Sequence, residues 1–121
     1  MTLVPKDARL HLRQSVNRGV LKIKLPQGYT NTMIKMDVEV FNYRNNASFK
    51  VEISGYTYSG SGSWIQTSAQ ILSSNEDNDL PIRFGYEDGK CCVYIGELDT
   101  NWTYPQIYIS KISTAYNAFE T

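Results

Sequence analysis

Five aromatic residues set the chemical question. Tyr56, Tyr58 and Trp64 lie in or beside Gly55-Tyr56-Thr57-Tyr58-Ser59-Gly60-Ser61-Gly62-Ser63, and Trp102 and Tyr104 lie in Asn101-Trp102-Thr103-Tyr104-Pro105. Rings flanked by hydroxyl and amide groups suit a sugar. A flat ring packs on the C–H face of the sugar while polar neighbours bond its hydroxyls, which is the usual make-up of a shallow binding site. The same residues also suit packing, because Trp and Tyr fill cores and subunit interfaces. At this level both readings stand: a glycan platform at Trp102 and Tyr104 and at Tyr56, Tyr58 and Trp64, or burial in a core or interface.

Bond-breaking chemistry has thinner support. The single histidine, His11, is far in sequence from any candidate nucleophile. Glycoside hydrolysis needs two carboxylates flanking the scissile bond. Glu87, Asp88, Glu97 and Asp99 are near one another in sequence, but the first two occupy a turn tip, where acids are commonplace. There is no Gly-x-Ser-x-Gly and no phosphate-cradling glycine loop. The expectation is a protein that is not an enzyme and uses no cofactor. Asn75-Glu76-Asp77-Asn78-Asp79 gathers oxygen ligands, with Asp77 and Asp79 the candidates for a metal. The run lacks the glycine and the distal glutamate of a calcium loop, so a solvated acidic loop without metal is expected.

Cys91 and Cys92 are adjacent. Successive side chains of a strand point to opposite faces, so one buried and one exposed thiol is expected. A bridge between neighbours would distort the backbone, and unpaired thiols fit a reducing cytoplasm. With no Cys-x-x-Cys spacing and one histidine, a structural zinc site has no basis.

The elements that must position these groups are strands. The chain has 121 residues, 41% of them hydrophobic, enough for one domain with a modest core. Nine tyrosines favour a pleated surface over helices. No run approaches the roughly 20 apolar residues that span a bilayer, and Met1 to Lys6 is too poor in apolar residues for a secretory leader. Formal net charge is zero but unevenly spread. Residues 1–25 carry six bases and one acid, a net of +5, and residues 26–121 carry six bases and eleven acids, a net of −5. The basic stretch lacks the interleaved aromatics of a single-strand binder, so a solvated strand or subunit contact is expected and no nucleic-acid partner.

Alternation along the chain places the strands. Residues 1–18 read as a lead-in or stem segment, with strand and helix both open because Ala8, Leu12 and Val16 also fall at helical spacing. A β-sandwich domain over residues 19–121 follows. Leu21, Ile23 and Leu25 face one way and Lys22 and Lys24 the other. In the longest strand, Met33 to Tyr43, Ile34, Met36, Val38 and Val40 oppose Lys35, Asp37 and Glu39. Phe49, Val51 and Ile53 return as its hairpin partner. Tyr56 to Ser63 reads as a loop, Trp64 to Leu72 as a strand and Pro105 to Ser113 as the last strand. Pro81 to Tyr86 and Lys90 to Glu97 form a hairpin around Asp88-Gly89, since a tight turn needs positive φ. Seven to eight short strands imply an all-β, antiparallel β-sandwich, jelly-roll-like in its expected topology.

The run from about Gly19 to Tyr116 resembles a distal domain of tail-fibre proteins of tailed bacteriophages and prophages. The likeness is carried by Val20-Leu21-Lys22-Ile23-Lys24-Leu25-Pro26, Phe41-Asn42-Tyr43, Gly55-Tyr56-Thr57-Tyr58 with Trp64, Leu80-Pro81-Ile82-Arg83-Phe84-Gly85, Lys90-Cys91-Cys92-Val93-Tyr94-Ile95-Gly96-Glu97 and Trp102-Thr103-Tyr104-Pro105-Gln106. The Cys-Cys strand with its Ile-Gly-Glu exit is the most specific piece. The resemblance implies a virion component, assembled in the bacterial host cytoplasm. It would sit in a homotrimer with other tail-fibre segments and contact host surface polysaccharide or lipopolysaccharide without entering the membrane. It supplies a role and no assigned residues. Rival readings are a structural trimerisation or connector module of the fibre and a free carbohydrate-binding module.

Overall fold

The computed structural model describes residues 2–3, 9–11, 17–42, 47–73, 80–98, 100–102 and 104–116. These form eleven strands: β1 (Thr2–Leu3), β2 (Arg9–His11), β3 (Asn17–Arg18), β4 (Leu21–Lys24), β5 (Thr32–Asn42), β6 (Ala47–Tyr58), β7 (Ser63–Ser73), β8 (Ile82–Glu87), β9 (Lys90–Ile95), β10 (Asn101–Trp102) and β11 (Gln106–Ala115). A four-stranded sheet has the order β1-β4-β9-β8, and a five-stranded sheet the order β2-β11-β5-β6-β7. β3 and β10 pair on their own. All pairs are antiparallel except β1 with β4. The expected antiparallel sandwich is the fold, and nothing in the strand order singles out a jelly roll. The strands beyond the expected seven to eight are pieces of two or three residues, too short for alternation to reveal.

Alternation builds the core. Ile34, Met36, Val38 and Val40 of β5 and Phe49, Val51 and Ile53 of β6 are buried on the inner face of the five-stranded sheet. They meet Leu21, Ile23, Cys91, Val93 and Ile95 from the four-stranded sheet, with Leu3, Leu25, Trp102 and Ile107 closing the cluster. At about 25 cal/mol per Å2 of apolar surface, this shared burial is the main force holding the sheets together.

The β8–β9 turn forms as expected: Asp88 and Gly89 both have positive φ, 53° and 77°, and Glu87 pairs with Lys90 across it. Three expectations change. The boundary after residue 18 separates no structural units among the described residues, because β1 joins β4 and β2 joins β11. Backbone pairing thus draws the segment into both sheets. Tyr56 and Tyr58 lie within β6, since its pairing with β7 runs on to Tyr58–Ser63. Both Cys91 and Cys92 are buried. Cys91 points into the core, while on the outer face Cys92 lies among Lys22, Lys24, Glu87 and Tyr94, and Tyr94 donates to Glu87 at 3.0 Å. Loss of solvent pushes the Cys91 thiol up to about 12 and raises that of Cys92.

Candidate functional site

Position parity decides where each candidate ring goes. Tyr56 and Tyr58 are two residues apart in β6 and share the outer face of the five-stranded sheet. Their ring centroids are 6.2 Å apart, and Tyr116, just past the end of β11, meets Tyr56 edge-on at 5.8 Å. Tyr58 is 42% exposed and Tyr116 82%. Three rings therefore gather at one end of an open face.

The neighbouring turn is pinned to that end. Asn31, in the left-handed region at φ 57°, accepts from the Ser59 amide at 2.9 Å and its hydroxyl at 3.1 Å. The Asn31 amide donates to the Thr57 carbonyl at 2.7 Å. Gly60 lies beneath the Tyr58 ring, where a Cβ would come within 2.5 Å of Cζ. Only glycine leaves room for that ring to lie over the turn. Ser59, Ser61 and Ser63 place hydroxyls beside it, all without charge.

Trp64 goes elsewhere. It pairs with Thr57, whose side chain is buried, and so points to the inner face. Its ring covers Gly55, its Nε1–H donates to the Gly85 carbonyl of β8 at 2.9 Å, and it meets Phe84 edge-on at 5.1 Å. The residue bridges the two sheets and is not part of the tyrosine face. Trp102 is 0% exposed, and its Nε1–H donates to the Gly19 carbonyl at 2.8 Å. It is a core plug, and the expectation of a sugar platform there is corrected: β10 pairs with β3 and its Trp102 ring is buried in the core. Tyr104 is exposed with φ 45°. It precedes Gln106, which pairs with Phe41, so it stands at the end of the sheet remote from Tyr56.

Three of the four neighbouring carboxylates face cations. Glu87 meets Lys22 at 3.1 Å, Asp88 meets Lys24 at 3.7 Å and Glu97 meets Arg83 at 3.6 Å. The Lys22 ammonium and the Tyr94 hydroxyl hold the Glu87 carboxyl below its ordinary value of 4.5. A general acid needs the opposite shift. Asp99 and the acidic run with Asp77 and Asp79 lie outside the described residues. Among the described residues no cluster of His, Cys, Asp or Glu is arranged to hold a metal ion.

Sequence reasoning missed the exposed rings of Phe41, Tyr86, Tyr108 and Tyr116. Tyr116 lies beyond the last expected strand. Phe41 points outward in step with Lys35, Asp37 and Glu39 on β5, and Tyr108 on β11 stands opposite Glu39. Parity alone would have placed Phe41 on the polar face. Compared with known proteins, the chain matches no family model and no curated protein.

Proposed function

We propose that this protein is a binding module that holds a sugar against Tyr56, Tyr58 and Tyr116. We propose further that it serves as the distal domain of a phage tail fibre, part of the virion, gripping host surface polysaccharide or lipopolysaccharide as a homotrimer. The observation that carries the binding reading is the convergence of three tyrosines on an open, hydroxyl-rich end of one sheet that is uncharged among the described residues. The fibre role rests on the resemblance of residues 19–116. Individual sites can be weak in such an assembly, since linked copies raise the effective concentration. Tyr58→Ala and Tyr116→Ala, both at exposed positions, are expected to keep the fold by circular dichroism and to lose binding to host cells and purified envelope polysaccharide by about tenfold or more. Failure of the intact assembly to bind either material would overturn the reading.

A connector role within the fibre has one observation in its favour. β7 is a long sheet edge whose eleven residues carry no charge, open to pairing with another chain. Under that reading, substitutions in β7 would change the mass in solution, and the tyrosine variants would leave cell binding untouched.

A further inference from the structure

The outer face of the five-stranded sheet has a second aromatic end. Tyr108, Glu39, Lys50 and Leu72 stand opposite one another across four adjacent strands, with Phe41 in the next outward position. Phe41, Tyr108 and Leu72 are all exposed, and with Glu39, Lys50 and Ser48 they line a shallow cleft of about 320 Å3. Between this end and the tyrosines runs a polar belt, itself cleft-like, lined by Lys35, Asp37, Glu52, Lys111 and Ser113. Lys50 bridges Asp37 and Glu52 at 3.7 Å each.

β5 pairs with β6 without a register break from Met33, opposite Tyr56, to Phe41, opposite Ser48. At ~3.3 Å per residue, the eight steps put the two aromatic ends about 26 Å apart along the strands. Among the described residues the track between them is electrically balanced, with Lys35, Lys50 and Lys111 against Asp37, Glu39 and Glu52. An acidic chain would meet as much repulsion as attraction there. An uncharged one finds rings at both ends and hydrogen-bonding groups between them.

We infer that the ligand is an extended, uncharged polysaccharide laid along β5 and β6, held at one end by Tyr56, Tyr58 and Tyr116 and at the other by Phe41 and Tyr108. This inference rests on the sugar-binding reading above and adds the ligand's length and charge. The test is calorimetric titration of the full chain with linear neutral oligosaccharide ladders, from disaccharide to octasaccharide, and with uronic-acid ladders of matching length. Neutral ladders are expected to bind more tightly as they lengthen. Phe41→Ala or Tyr108→Ala should weaken the longest members by about tenfold and leave the disaccharide within about twofold. Length-independent binding that is lost in Tyr58→Ala but unaffected by Phe41→Ala would overturn the extended ligand and leave the tyrosine site standing. Tighter binding of the uronic-acid ladder would overturn the uncharged ligand. A change in solution mass on Phe41→Ala, without change in oligosaccharide affinity, would make this end a contact between copies instead. No binding by any ladder or by envelope polysaccharide would remove both readings.

Discussion

Glu87 ties together two neighbouring side chains. On the outer side of the four-stranded sheet its carboxylate takes Lys22 at 3.1 Å and the Tyr94 hydroxyl at 3.0 Å. The Tyr94 ring lies over Gly85, where a Cβ would come within 2.7 Å of the ring, and the group screens Cys92. A carboxyl lowered in the folded state contributes stability that is fully present above its ordinary value of 4.5 and is lost as pH falls through the lower folded value. Urea midpoints of the wild type should therefore fall as pH drops below 4.5. Glu87→Gln should be less stable at neutral pH and converge on the wild type in acid. Parallel pH profiles for the two proteins would show that Glu87 contributes nothing through its charge.

Among the elements, β7 is the exposed one. It closes the five-stranded sheet, and Gln66, Thr67, Ser68, Ala69 and Gln70 are all exposed. Its one irregularity is the register shift opposite Ser54 and Tyr56, where Gln66 has φ 55°. Natural edges are usually guarded by charge, proline or bulges, and from Thr67 to Ser73 this one has none. Gln70 lies opposite Glu52, so Gln70→Lys would add a cross-strand charge pair worth ~0.2–1 kcal/mol and an edge lysine together. The variant should scatter less light on heating and melt slightly later. Unchanged scattering would mean that β7 is not the route to association. β5 and β6 were legible in sequence because their hydrophobic residues alternate over a buried face, four in β5 and three in β6. The fate of Trp64 and Trp102 was not, because burial of a ring depends on which part of the other sheet arrives above it. The Gly and Ser that follow Tyr56 and Tyr58 obscure, in sequence, where the strand ends. The gathering of Tyr116 beside Tyr56 depends on the end of β11 pairing with the start of β5, Ala115 opposite Met33, a juxtaposition no local pattern encodes.

At the scale of the whole molecule, the two sheets are joined by more than their shared core. β1 lies parallel to β4, with Leu3 opposite Ile23 and 1% exposed, while β2 pairs with β11 in the other sheet and β3 with β10 beside the buried Trp102. One N-terminal segment thus touches both layers, as a fastening and not a stem. Residues 1–18 read in sequence as a lead-in or stem, yet backbone pairing and one buried leucine join them to the two sheets. Removing the Leu3 side chain should cost ~2–5 kcal/mol, as for other large-to-small core changes, against a total of ~5–15 kcal/mol for a domain. Leu3→Ala should lower the urea midpoint strongly. Because the segment reaches both layers, the indole signals of Trp64, at the junction with β8, and Trp102, against Gly19, should move together in single-tryptophan variants that keep one ring each. A midpoint unmoved by Leu3→Ala would return the segment to the status of a lead-in. Separate transitions at the two rings would show that the sheets unfold independently, with no N-terminal fastening between them.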